Sequence, residues 1–131
     1  MSVSKKKRIL IVDDERDVAM VMHHYLENED YDVEEVHTGS EALNRIFSGD
    51  YDLILLDYAM KDIKGDRVCL LMRADDKMKK LPVIIVTAHV EVDDRVFKEY
   101  GANDVLYKPV SSDDLKEVIQ KHLSNQGDSA K

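Results

Sequence analysis

ILIVDDER, residues 9–16, runs four aliphatic side chains straight into three adjacent carboxylates. An unbroken apolar run rich in β-branched residues suits a strand covered on both faces. Three neighbouring acids repel one another, so the end of that strand calls for something cationic. Beyond it the period changes: Val18, Val21, Met22, Tyr25 and Leu26 follow the i, i+3, i+4, i+7, i+8 stripe of a helix.

The same alternation continues along the chain. RILIVD (8–13), YDVEEV (31–36), DLILLD (52–57), PVIIVT (82–87) and DVLY (104–107) read as strands. Ala42, Leu43, Ile46 and Phe47 mark a second helix, opened by Thr38 with Glu41 three residues on as a capping box. Val68, Leu71 and Met72 mark a third. A narrower stripe of Val92, Val96 and Tyr100 predicts a fourth over about 91–100. Leu115, Val118, Ile119 and Leu123 mark a fifth, behind the cap candidates Ser111 and Ser112. Gly49 and Gly101 stand where left-handed caps would stop helices. Strands alternating with helices predict a single doubly wound α/β domain, a mostly parallel sheet with helices on both faces. The second strand alternates and carries charge, which places it at an edge.

Length and composition agree with one domain. A chain of 131 residues can bury a real core. Its longest apolar runs, such as LILL at 53–56 and VIIV at 83–86, are far too short to cross a bilayer, which predicts no membrane insertion. The apolar run behind the basic N-terminus is also too short for a signal peptide. Cys69 is alone, so a disulfide framework is excluded and a cytoplasmic location is expected. A net charge of −8 argues against direct nucleic-acid binding, where phosphate neutralisation supplies most affinity. Residues 1–7 form a basic flank, 8–123 the domain, and 124–131 an expected flexible tail.

The residues just past each apolar strand carry the chemistry. The first strand ends at Asp13, Asp14 and Glu15, the third at Asp57, the fourth at Thr87, the fifth at Lys108 and Pro109. In an open parallel sheet the carboxyl ends share one rim, and ligands bind there. Carboxylates as the only donors suit Mg²⁺ or Mn²⁺, whereas zinc prefers His or Cys. A divalent cation, an ammonium and a hydroxyl around one aspartate suit a phosphoryl group, and an aspartate can itself be the nucleophile. Taken singly, each residue has an ordinary reading. Asp14 reads as a helix N-cap supported by Asp17, Asp57 as a loop start, Thr87 as a β-former and Lys108 as a solvated lysine. Their joint occurrence at four strand ends is what points to a site.

Over residues 8–123 the chain resembles the receiver domain of two-component response regulators. The carriers are the pair Asp13-Asp14, LLDYAMKDIKG (55–65), VTAH (86–89) and YKPV (107–110), each at the end of a predicted strand. The resemblance implies a flavodoxin-like (βα)5 domain with strand order 2-1-3-4-5. It implies that Asp57 accepts phosphate from a histidine kinase or a histidine phosphotransfer protein. Asp14, Asp57 and the Ala59 carbonyl would hold Mg²⁺ directly, and Asp13 would do so through water. Thr87 and Lys108 would bind phosphoryl oxygens, and a target protein would read the face formed by the fourth helix, fifth strand and fifth helix. Such a protein is a signalling switch that catalyses only its own phosphorylation and dephosphorylation. The chain departs from the family pattern at Lys61, where Pro is usual, at Val105, where a switch aromatic is usual, and at Val110, where Phe is common.

Two rivals remain. A Mg²⁺-dependent phosphatase with an aspartyl nucleophile usually needs an acid two residues after it, and position 59 is Ala. A flavin-binding module needs a phosphate-cradling loop after the first strand, where DDERD would repel the phosphate. His23 and His24 point in different directions on one helix and make a poor metal site, while His37 and His122 lack partners at ligand spacing. His89, two residues after Thr87, is a candidate to hold water near the site, set against a solvated loop residue.

Overall fold

The computed structural model describes residues 6–128. Ten elements alternate: β1 (Lys7–Val12), α1 (Arg16–Glu27), β2 (Tyr31–Val36), α2 (Gly39–Ser48), β3 (Leu53–Asp57), α3 (Gly65–Arg73), β4 (Val83–Thr87), α4 (Asp94–Glu99), β5 (Asp104–Tyr107) and α5 (Ser112–Asp128). The strands form one parallel sheet in the order β2-β1-β3-β4-β5. The strand pattern of the sequence explains the order: β1, β3 and β4 are almost wholly buried, while the charged, alternating β2 lies at an edge. Among the described residues no helix is long and apolar enough to cross a membrane.

Side chains on a strand point alternately to opposite faces, and here each face builds its own core. Ile9, Ile11, Leu53, Leu55, Ile84 and Val86 pack beneath α1 and α5, against Ala19, Met22, Leu26, Leu115 and Ile119. Leu10, Val12, Ile54, Leu56, Val83 and Ile85 pack beneath α2, α3 and α4, against Ile46, Val68, Met72 and Phe97. Burying these side chains contributes roughly 1.5–3 kcal/mol each, less the entropy of ordering them.

Several local expectations shift. In α1 the buried stripe is Ala19, Met22 and Leu26, and Val21 is exposed, because the helix presents the neighbouring i, i+3, i+7 row to the sheet. In α3 Cys69 is fully buried and Leu71 faces solvent for the same reason. Asp14 does not cap α1: the N-cap is Glu15, without a side-chain cap bond. Thr38 does cap α2, its Oγ1 accepting from the Glu41 N–H at 3.0 Å. Helix α4 is shorter than 91–100 because Asp93 takes the Arg95 N–H at 2.9 Å and starts the helix there. Ser111 Oγ accepts from the Asp114 N–H at 3.1 Å and opens α5. The expected boundary at 123 falls inside α5, which meets no strong helix breaker there and continues to Asp128; residues 129–131 and 1–5 of the expected tail and flank lie outside the described residues. Gly49 is extended, not left-handed; the space is what it supplies, since a Cβ would meet the Arg45 carbonyl and the Tyr51 ring at 2.9 Å. Gly101 does adopt φ +110°, a region that favours glycine.

Candidate functional site

Parallel pairing brings four strand ends to one rim. Asp57 and Thr87 are the last residues of β3 and β4. Asp13 follows β1, its N–H donating to the Val36 carbonyl at 3.2 Å. Lys108 follows β5, its N–H donating to the Thr87 carbonyl at 2.8 Å, with a cis peptide to Pro109. Asp13, Asp14 and Asp57 thereby present carboxylate oxygens that all lie within 4.8 Å of one another.

The Lys108 ammonium stands among them, 2.9 Å from Asp13 Oδ2 and 3.3 Å from both Asp57 Oδ1 and Glu15 Oε1. Asp13 is fully buried and Asp57 nearly so. Burial, then the neighbouring Asp13, pushes the Asp57 carboxyl up to about 6, against the pull of Lys108. Burial acts to lower the Lys108 pKa, but Asp13, Asp57 and Glu15 outweigh it and the net shift is upward. One ammonium therefore meets three carboxylates, those of Asp13, Glu15 and Asp57, with the fourth, Asp14, clustered beside Asp13 and Asp57. Among the described residues Asp13 Oδ2 has no hydrogen-bond partner and meets Lys108 only as an ion pair. A buried oxygen with an unused lone pair, in an all-oxygen donor set with excess negative charge, fits a hard divalent cation such as Mg²⁺.

Neighbouring residues hold this rim in place. The Ala59 N–H lies 3.5 Å from Asp57 Oδ1, so Ala59 sits beside the carboxylates. The Lys61 N–H, which a proline would lack, lies 3.3 Å from Asp14 Oδ2. Met60 is buried in the core and anchors the loop after Asp57. Gly65 folds back so closely that a Cβ would lie 2.9 Å from Tyr58 Cα and clash with the Asp57 carbonyl. Its N–H donates to the Tyr58 carbonyl at 2.8 Å, which explains a glycine eight residues after the aspartate.

Thr87 is fully buried, and its Oγ1 accepts from the His89 N–H at 3.0 Å. Among the described residues it makes no hydrogen bond to the carboxylates. The His89 ring is engaged by its neighbours: Nδ1 lies 2.7 Å from Glu91 Oε2, and the ring meets Tyr58 edge-on at 5.6 Å. Tyr58 in turn packs edge-on against Phe97 of α4 at 5.0 Å. Val105, at the expected switch position, is partly buried against the core, and Tyr107 is partly exposed. His37 and His122 do have partners, Glu35 and Asp104, neither in a metal-binding set.

Two contributors escape sequence reasoning. Glu15 reaches Lys108, a contact that the run of three acids hints at but does not specify. Asp62 reaches back to α2, its Oδ1 accepting from the Gly39 N–H at 2.9 Å and its Oδ2 from the Ser40 N–H at 3.0 Å. Those bonds hold the Asp62 carboxyl down at about 2. No spacing in the chain announces a bond between positions 23 residues apart.

Comparisons with known proteins meet this geometry. The response regulator receiver domain model matches residues 9–120. The chain is 37% identical over 120 residues to the response regulator ArlR of Staphylococcus saprophyticus, an alignment covering 91% of this chain and 53% of that protein. It thus spans about half the length of the curated relatives it matches. A CheY-like response regulator receiver domain protein from Methanospirillum hungatei JF-1 superposes with a TM-score of 0.88 at 31% identity, covering 95% of this chain and 98% of that one. The receiver domain of a sensor histidine kinase from Pseudomonas aeruginosa PAO1, solved with a magnesium ion coordinated in its active-site cleft, superposes with a TM-score of 0.84 at 28% identity, covering 91% and 98%. With its strand order, its acidic rim and a family match over residues 9–120, the chain belongs to the response regulator receiver domains.

Proposed function

We propose that this chain is a phosphorylation-dependent signalling switch in which Asp57 takes a phosphoryl group from a histidine kinase or a histidine phosphotransfer protein. The observation that carries the reading is the Lys108 ammonium lodged between Asp13 and Asp57 beside Asp14, on the rim where parallel strands end. Asp57 Oδ1 is engaged by Lys108 and the Ala59 N–H, which leaves Oδ2 to attack phosphorus. As the Oδ2–P bond forms, the P–N bond of the phosphohistidine breaks and its electron pair returns to the imidazole. Lys108 then follows the transferred charge, and the Thr87 hydroxyl, already beside the His89 N–H, donates to a phosphoryl oxygen. Asp13, Asp14, Asp57 and the Ala59 carbonyl are the residues for Mg²⁺, with Mn²⁺ as the substitute of the same hardness. When bound, the cation supplies charge neutralisation at the transferring group.

The chain's catalysis is confined to its own phosphorylation and dephosphorylation. Ala59 supplies no acid for a phosphatase cycle. Output runs through the face of α4, β5 and α5 to a target protein, a reading supported by exposed Val96 of α4 and Tyr107 of β5, with exposed Val90 on the loop leading into α4. Because Val105 carries no ring, coupling on that face does not use an aromatic rotamer at that position. A cytoplasmic location suits Cys69, whose buried thiol is pushed up to about 12 and stays inert.

Incubation with acetyl phosphate and Mg²⁺, followed by intact mass and peptide mapping, tests the assignment. One phosphoryl group is expected on the peptide containing Asp57, and none in Asp57→Asn. A label of the same lability persisting in that variant moves the acceptor elsewhere.

A further inference from the structure

Lys108 is shared more widely than the phosphoacceptor role requires. Besides Asp13 and Asp57, its Nζ is 3.3 Å from Glu15 Oε1, and Glu15 differs from its neighbours in three ways. It is exposed while Asp13 and Asp57 are buried. It stands at the N-cap of α1 but makes no side-chain cap bond, so its carboxylate is free for Lys108. It also lines, with Lys108, Pro109 and Val110, a groove of about 530 Å³ that opens beside the rim. A phosphoryl group that draws on Lys108 must therefore compete with the exposed Glu15 carboxylate for the ammonium.

We propose that Glu15 is a specificity-determining and positioning residue: by holding Lys108 on the open side of the site, it disfavours small, highly charged phosphodonors relative to donors of lower charge. The inference rests on the phosphoacceptor reading of Asp57. The physical reason is that repulsion from a carboxylate scales with donor charge, while release of Lys108 from Glu15 scales with how strongly the donor attracts it. Acetyl phosphate is a dianion near neutral pH; phosphoramidate is a monoanion whose nitrogen already carries the proton that leaves with ammonia. In both transfers the Asp57 oxygen–phosphorus bond forms while the P–O bond to acetate or the P–N bond to ammonia breaks. The leaving group keeps the electron pair.

The test measures the phosphorylation rate constant at subsaturating donor for both compounds with Mg²⁺, in wild type, Glu15→Gln and Asp17→Asn. Asp17 is an exposed acid of the same groove without a contact to Lys108, so its variant controls for charge alone. In Glu15→Gln the ratio of acetyl phosphate rate to phosphoramidate rate is expected to rise about two- to fivefold, the size an exposed charge contact commands, and to lose part of its salt dependence. Metal-free protein gives a second readout: the Lys108 ammonium signal in nitrogen-15 NMR shifts in Glu15→Gln and stays in Asp17→Asn. An unchanged ratio in a normally phosphorylated Glu15→Gln, or an equal change in Asp17→Asn, overturns the proposal. Wild type that takes a phosphoryl group from neither donor overturns the functional reading, and this inference with it.

Discussion

The two ends of the sheet handle charge in opposite ways. At the amino end Arg73 of α3 spreads its guanidinium over three acceptors, donating at 2.9 Å to the carbonyls of Gly101 and Met78 and to Asn103 Oδ1. Asn103 Oδ1 also accepts from the Val83 N–H at 2.8 Å, so one cation ties the starts of β4 and β5 together. Arg8 does the same near the start of β1, pairing with Glu34 while its N–H donates to Asp52 Oδ2 at 2.8 Å. At the carboxyl end the balance is reversed: one ammonium serves three carboxylates with a fourth, Asp14, beside them, and among the described residues the buried Asp13 Oδ2 makes no hydrogen bond. Satisfied charge holds a fold together, whereas unsatisfied like charge is a cost that a ligand can relieve.

The largest effect should come from breaking the amino end. Arg73→Met removes three charge-assisted hydrogen bonds at once, and urea denaturation is expected to show a loss of roughly 3–5 kcal/mol. A loss below about 1 kcal/mol, the worth of an ordinary surface contact, would erase the contrast between the ends.

The carboxyl end should respond with the opposite sign. Asp14→Ala removes one like charge and is expected to raise metal-free stability by about 1 kcal/mol. Wild type should gain about 2.7 kcal/mol when Mg²⁺ reaches a hundredfold excess over its dissociation constant, and the variant far less. Thermal melts with and without Mg²⁺ read both. A variant that melts lower than wild type without metal would show that the acidic rim supports the fold after all.

A smaller effect sharpens the comparison, because Asp62 is a satisfied carboxylate close to the unsatisfied ones. Its carboxyl is held at about 2, below the usual ~3.9 of an unfolded chain. The sign comes from linkage: its stabilisation is fully present above about pH 4 and is lost as pH falls through about 2. Asp62→Ala should cost about 1 kcal/mol near neutral pH, as loss of an N-cap does. Its stability should also decline less than wild type between pH 4 and pH 2. Parallel acid limbs would assign that slope to other carboxylates.

How far the sequence carried the structure depended on whether the signal was local. Hydrophobic period is local, so the ten elements, the buried β1, β3 and β4 and the edge position of β2 were all readable in the chain. The rim was readable too, because parallel pairing sends every strand end to one side. Asp13, Asp14, Asp57 and Lys108 met as the strand ends required. Cap geometry was less predictable. Asp14 has the chemistry of an N-cap, yet the N-cap is Glu15, and Asp14 joins the acidic cluster instead.

What the sequence determined by itself is therefore the order of elements, the faces they bury and the set of groups delivered to the carboxyl rim. Each is a consequence of covalent order and side-chain period. Only the tertiary structure decided which oxygen is left over and which charge is shared: the unbonded Asp13 Oδ2, the Glu15 contact to Lys108, and Asp62 reaching back to α2. These depend on distances of a few tenths of an ångström between segments far apart in the chain. Those distances are set by how the two cores pack against the sheet, not by any pattern along it.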